Sequence, residues 1–200
     1  MLGVARLSQL PPDSGYEVAI AGRSNAGKSS AINVITGIGS LARTSKIPGR
    51  TRQINLFSLD QHRRLVDLPG YGYARVPQGV QQAWQQLVEK YLETRKSLRG
   101  MVIVMDIRHP LTAIDLHLIH WCYISGMPVH VLLTKADKLS RGAATTVLHK
   151  VRQGLQREYT RVIQREVEQE APFTAQLFSA LKKTGVDETR ARLDEWLNLT

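Results

Sequence analysis

Residues 22–29 read Gly22-Arg23-Ser24-Asn25-Ala26-Gly27-Lys28-Ser29, the pattern G-x-x-x-x-G-K-[ST] of a loop that cradles phosphates. The apolar run Val18-Ala19-Ile20-Ala21 precedes it, and Ala31, Ile32, Val34 and Ile35 follow at helical spacing. Strand, glycine loop and helix in that order form the context the motif requires. Gly22 and Gly27 are expected to let the backbone turn tightly and approach a ligand. The N–H groups of residues 25 to 30, Ser30 included, are expected to ring phosphate oxygens at the positive end of the helix. Lys28 is placed on the β- and γ-phosphates as the catalytic cation, and the Ser29 hydroxyl on Mg2+.

On either side of this loop, apolar runs alternate with amphipathic stretches. Strands are expected at 18–21, 54–59, 64–67, 101–106, 129–134 and 175–179. Met101-Val102-Ile103-Val104-Met105 is continuously apolar, which predicts a strand covered on both faces. Helical spacing joins Leu87, Val88, Tyr91 and Leu92, then Ile114, Leu118, Ile119 and Cys122, then Ala144 through Val162. Val186, Leu193 and Leu197 predict a terminal helix. Such alternation predicts an α/β fold: a mostly parallel, six-stranded sheet with helices on both faces. Ligands then bind at the carboxyl ends of the strands. Residues 1–16, with Pro11-Pro12-Asp13, read as a lead-in arm, and 17–200 as one nucleotide-binding domain.

Two hundred residues suit one full-sized core. No run approaches the length of a membrane span, and the single cysteine, Cys122, excludes an internal disulfide. Cys122 falls in a helical pattern and reads as a core residue. A cytoplasmic location is expected. Net charge is +10, and residues 41–100 carry 11 basic against 4 acidic side chains, or +7 of it. That asymmetry points to a polyanionic partner. Arg50, Arg52, Arg63, Arg64 and Arg75 form the basic cluster expected to meet nucleic-acid phosphates, as a cluster and with no single arginine singled out.

Three further segments complete a nucleotide site. Asp67-Leu68-Pro69-Gly70 follows a strand, about 38 residues after Ser29. Asp67 there is expected to hold Mg2+ through water, and Gly70 to offer its N–H to a γ-phosphate. Thr134-Lys135-Ala136-Asp137 ends another strand. An Asp137 carboxylate accepts from both N1–H and the N2 amino group of guanine and repels the N1 acceptor of adenine; the Lys135 stem lies along the purine. Phe178, Ser179 and Ala180 close the last strand, with the Ala180 N–H facing guanine O6. Gly49, Arg50, Thr51, Arg52 and Gln53 are assigned to the nucleotide, with Thr51 completing the Mg2+ shell and Thr44 as runner-up.

These segments, with Leu65–Ala74 and Met105-Asp106-Ile107-Arg108-His109-Pro110, resemble the bacterial EngB (YihA/YsxC) family of translation-factor-class GTPases over residues 8–198. The resemblance implies a three-layer P-loop GTPase fold, GTP and GDP as ligands, and action on the large ribosomal subunit or its precursor. Apart from the resemblance, a monomer is the default expectation, with no membrane partner. Asn25 matches a P-loop Asn that some of these relatives use to hold K+. Tyr71 stands where a Ras-like enzyme carries the Gln that orients water, so slow hydrolysis, aided by K+ or a partner, is expected. The segment 160–171 is longer than the family pattern. Two other functions fit the sequence less well. A metabolic P-loop kinase does not explain Thr134–Asp137, and a membrane-trafficking switch would carry a prenylation cysteine near its end.

Overall fold

Alternation along the strands divides the core into two layers. Val18, Ile20, Val102, Val104 and Leu132 face Ala31, Ile32 and Ile35 of one helix and Val186 and Leu193 of another. Ala19, Ala21, Met101, Ile103, Met105 and Val131 point the other way, against Val88, Tyr91, Ile119, Cys122, Val151 and Leu155. A sheet apolar on both faces has to be covered on both. The computed structural model describes residues 1–42, 53–71, 78–163 and 172–199.

The elements are β1 (Leu2–Val4), β2 (Tyr16–Gly22), α1 (Lys28–Thr36), β3 (Ile54–Ser58), β4 (Arg63–Asp67), α2 (Gln78–Thr94), β5 (Leu98–Asp106), α3 (Ala113–Ile124), β6 (Val129–Thr134), α4 (Arg141–Ile163), β7 (Phe173–Leu177) and α5 (Val186–Trp196). Strand order is β1-β3-β4-β2-β5-β6-β7. Pairs from β4 to β7 are parallel, while β1 and β4 both run antiparallel to β3. The chain leaves β2 toward β4 on one side and β5 on the other, so the order reverses at the carboxyl end of β2, where such sheets bind ligands. Among the described residues, no helix is long and apolar enough to cross a membrane.

The sheet has seven strands rather than six. The extra strand, β1, lies in the segment expected to be a plain arm, with Val4 opposite Ile54. Three residues with one buried side chain leave no periodic trace in the sequence. β7 also begins two residues earlier than expected. Phe173 pairs in register with Val129 and packs its ring 3.9 Å from that of Tyr123, which fixes the strand start.

The arm is clamped at the amino end of the sheet. Glu17, fully buried, accepts from Arg95 Nη2 (2.7 Å) and Nε (2.9 Å), Tyr91 Oη (2.9 Å) and Arg64 Nη1 (3.2 Å). Arg95 also donates to the carbonyl of Pro11 at 2.9 Å, and Asp13 accepts from the amides of Lys96 and Ser97. Arg63 donates to Asp60 and to the carbonyls of Leu197 and Asn198. These contacts correct the expectation for two arginines. Arg63 and Arg64 begin β4, at the far end of the sheet from the phosphate loop, and their guanidinium groups are engaged in structure. Arg50, Arg52 and Arg75 lie outside the described residues.

Candidate functional site

Gly22 closes β2 against β5, where a Cβ would lie 2.8 Å from the Val104 carbonyl oxygen. Close strand packing, rather than a turn, is what requires glycine there. The turn itself uses two left-handed residues, Asn25 (φ +62°) and Gly27 (φ +95°). Asn tolerates that region better than most side chains. Helix α1 starts at Lys28 with Gly27 as its N-cap, and no side chain caps it, so its first amides face the loop. Ala26 is buried, and its carbonyl accepts from Thr134 Oγ1, which also donates to the Met105 carbonyl at 2.9 Å. Thr134 thereby ties the ends of β5 and β6 to the phosphate loop.

Lys28 is ion-paired with Asp67 at the end of β4. The Asp67 carboxylate is 5% exposed, and its other oxygen accepts from Asn55 Nδ2 at 3.3 Å. A nearly buried carboxylate at a sheet end demands a cation, and here the Lys28 ammonium supplies it. Asp67 and the Ser29 hydroxyl are hard oxygen donors of the kind Mg2+ takes. Among the described residues no group of three or more His, Cys, Asp or Glu could hold a metal ion.

On the base side, Lys135 is left-handed (φ +58°) and leads into a 3-10 turn, Ala136–Lys138. Lys135 Nζ donates to the Asn25 carbonyl at 2.7 Å and to Asp106 Oδ2 at 2.9 Å. Ser179 Oγ donates to Asp137 Oδ1 at 2.6 Å, which holds that carboxyl below its ordinary range. Asp137 is thus a fixed, ionised acceptor. Asp106 is held far lower by Arg108, whose guanidinium meets both of its oxygens, and then by Lys135.

Several expected site residues act from behind it. Phe178 and Leu68 are fully buried in the core. The Phe178 carbonyl accepts from the Ala136 amide at 3.1 Å, and its own N–H donates to Leu133. It supports the base loop through its backbone while its ring packs in the core. The Leu68 N–H donates to the Ile20 carbonyl, and Pro69 is buried beside it. Gly70 and Ala180 are half-buried beside the two loops, and Arg23 and Ser30 are exposed. Gln53 is exposed and lies against Gly3 at the sheet edge. Gly49, Arg50, Thr51, Arg52 and Thr44 lie outside the described residues.

Tyr71 is 3% exposed and belongs to the core. Its N–H donates to the Gly22 carbonyl at 3.3 Å, and its carbonyl accepts from the Ser24 N–H at 2.8 Å. Its hydroxyl donates to Asp115 Oδ1 at 2.7 Å. Burial, then the Asp115 charge, push the phenol well above its ordinary pKa. Asp115 also caps α3, accepting from Thr112 N at 2.8 Å. Sequence reasoning passed over Asp106, which is legible only as part of a family segment, because Lys135, the partner that links it to the phosphate loop, lies 29 residues away just past β6. His109 is an exposed loop residue whose N–H donates to the Asp106 carbonyl at 2.9 Å.

The family model described as a 50S ribosome-binding GTPase matches residues 17–135. A curated "Probable GTP-binding protein EngB" of Nitrosococcus oceani is 55% identical over 96% of this chain and 91% of its own. One of Coxiella burnetii is 50% identical over 99% of this chain and 91% of its own. Among solved structures, a probable GTP-binding protein engB superposes with a TM-score of 0.69 at 20% identity, covering 92% of this chain and all of the other. Era in complex with MgGDPNP and 16S ribosomal RNA nucleotides gives 0.66 at 18% identity, covering 92% of this chain and 57% of that one. At such identities the structural matches speak for the fold.

Proposed function

Because the chain belongs to the EngB family of P-loop GTPases, we propose that it binds GTP and GDP with Mg2+, hydrolyses GTP slowly, and acts as a switch in assembly of the large ribosomal subunit. One observation carries the choice of base. The Asp137 carboxylate is held ionised by Ser179 at 2.6 Å, beside a loop pinned to the phosphate site by Lys135. An anionic acceptor at that place favours guanine over adenine.

The chemistry is transfer of the γ-phosphoryl group to water. Lys28 would leave Asp67 for the more highly charged triphosphate, and the freed Asp67 carboxylate would help to hold Mg2+. Ser29, Thr51 and Asp67 would hold Mg2+, which when bound neutralises charge developing on the phosphates. Slow turnover follows from Tyr71: its hydroxyl is spent on Asp115 in the core, so the position after D-x-x-G lends no side chain to the attacking water. Asn25, exposed at the turn of the loop, is the proposed K+ ligand. Hydrolysis in equimolar KCl and NaCl checks it, and equal rates would refute it.

Nucleotide titration tests the core of the proposal. GTP and GDP are expected to bind about a hundredfold or more tighter than ATP, since mismatched buried hydrogen-bond groups are costly. Equal or tighter ATP binding overturns it. The family description and the net charge of +10 support a ribosomal partner. Co-sedimentation with large subunits should be stronger with a non-hydrolysable GTP analogue than with GDP and should weaken steeply with salt.

A further inference from the structure

We propose that Asp106 is a positioning residue of guanine-nucleotide recognition, acting through Lys135; the assignment rests on the guanine reading above. Asp106 ends β5 in register with Thr134, the residue just before Lys135. The topology therefore delivers a carboxylate to the place where the Lys135 side chain has to turn. The ammonium is caught between two acceptors, Asp106 Oδ2 at 2.9 Å and the Asn25 carbonyl at 2.7 Å.

Both ends of this link are left-handed, Asn25 at φ +62° and Lys135 at φ +58°. Such conformations cost free energy in non-glycine residues and persist only where the surroundings hold them. One ammonium bridges the two, so the strained turn of the phosphate loop and the strained entry to the base loop are stabilised by the same contact. Without Asp106 the flexible Lys135 stem has one fixed partner instead of two, and its four-carbon chain regains rotamers.

Arg108 sets the carboxylate in turn. Its Nε donates to Asp106 Oδ1 at 2.9 Å and Nη2 to Oδ2 at 2.6 Å, while its own N–H closes on Oδ1 at 3.0 Å. This bidentate grip fixes the plane of the carboxylate. The Asp106 side chain is 15% exposed and the Arg108 side chain 47%. The chain of contact is Arg108, Asp106, Lys135, Asn25: from an exposed loop to the phosphate site.

The test is a double-mutant cycle on GDP release from the full chain, followed with a fluorescent GDP analogue chased by excess GDP. Asp106→Ala and Lys135→Ala should each speed release about tenfold or more, the scale of one charge-assisted hydrogen bond. The double variant should release no faster than Lys135→Ala, within about twofold, because the two act as one unit. Asp106→Asn, which keeps an acceptor oxygen but loses the charge, should fall between wild type and Asp106→Ala. Factors that multiply in the double variant would overturn the assignment, since a merely structural Asp106 acts independently of Lys135. If Asp106→Ala fails to fold by circular dichroism, Asp106→Asn completes the same cycle. A wild type that releases GDP as fast as ADP would defeat the guanine reading itself; retention of GDP with multiplicative variants defeats this assignment alone.

Discussion

Two carboxylates are buried at opposite ends of the same pair of strands, Glu17 at the start of β2 and Asp67 at the end of β4. Glu17 is saturated: two arginines and a tyrosine fill both oxygens, and Arg95 is itself pinned to the Pro11 carbonyl. Asp67 has one lysine and a longer bond from Asn55. Burial is nearly equal, so burial does not distinguish them. The partners do. A planar guanidinium held at several points is committed to structure, whereas a single ammonium on a flexible stem can be handed to another anion. The closed network stabilises the fold, whereas the open, single-lysine pair can give up its ammonium to another anion.

Removing each carboxylate's partnership tests this contrast. Glu17→Ala removes the buried carboxylate shared by Arg95, Tyr91 and Arg64, leaving Arg95 with the Pro11 carbonyl and Asp13, and breaking a buried pair on one side costs about 3–5 kcal/mol. Urea unfolding should show that loss, while GDP affinity of the folded protein stays within about twofold. A loss below about 1 kcal/mol would break the claim that this end is the structural one.

Lys28→Ala should do the reverse. Two charge-assisted hydrogen bonds to phosphates are worth roughly a hundredfold or more in GTP affinity, read by titration. Stability should fall less than in Glu17→Ala, by about 1–2 kcal/mol, because Asp67 keeps Asn55 and lies beside the ligand-binding loop. Equal losses of stability in the two variants would erase the distinction.

Much of the open end was legible in the sequence, and little of the closed one. Gly27, Lys28, Asp67 and Thr134–Asp137 lie in contiguous motifs, so a linear reading groups them, and the structure brings them together at the carboxyl ends of the strands. Glu17, Tyr91 and Arg95 are up to 78 residues apart, and nothing local distinguishes Arg95 from a solvated arginine. Arg63 and Arg64 drop out of the expected basic cluster for the same reason: charge count shows a basic segment, but strand direction decides which end of the sheet receives it. Strand β1 escaped because three residues carry no period. Asp106 escaped because its role exists only once β5 and β6 are paired.

Acid offers a third way to compare regions. His130 of β6 is buried, with ring nitrogens 2.7 Å from Thr174 Oγ1 and 2.8 Å from Gln176 Oε1. Burial lowers its pKa from 6.5 to about 4. The folded state therefore favours the neutral ring, and the unfolded chain binds a proton first. This contribution is complete above pH 6.5 and is lost as pH falls from 6.5 to 4, by up to about 3 kcal/mol. Between pH 7.5 and 4.5, wild type should lose about 2 kcal/mol more than His130→Gln in urea unfolding. The same loss in both proteins would assign the acid sensitivity to carboxylates such as Asp13 instead.

The smallest expected effect sits where the two kinds of region meet. Tyr71 follows the D-x-x-G segment, so its backbone belongs to the phosphate site, pairing with Gly22 and Ser24. Its ring belongs to the core, and its hydroxyl to Asp115. Tyr71→Phe keeps the ring and the backbone pairing and removes one buried hydrogen bond, while Asp115 still accepts from Thr112. Stability should drop by about 1–2 kcal/mol. The rate of GTP hydrolysis should stay within about twofold, because a hydroxyl turned into the core reaches no attacking water. A tenfold fall in rate at unchanged GTP affinity would move Tyr71 from the closed, structural class to the open, functional one. The line between the two ends would then have to be drawn inside a single side chain.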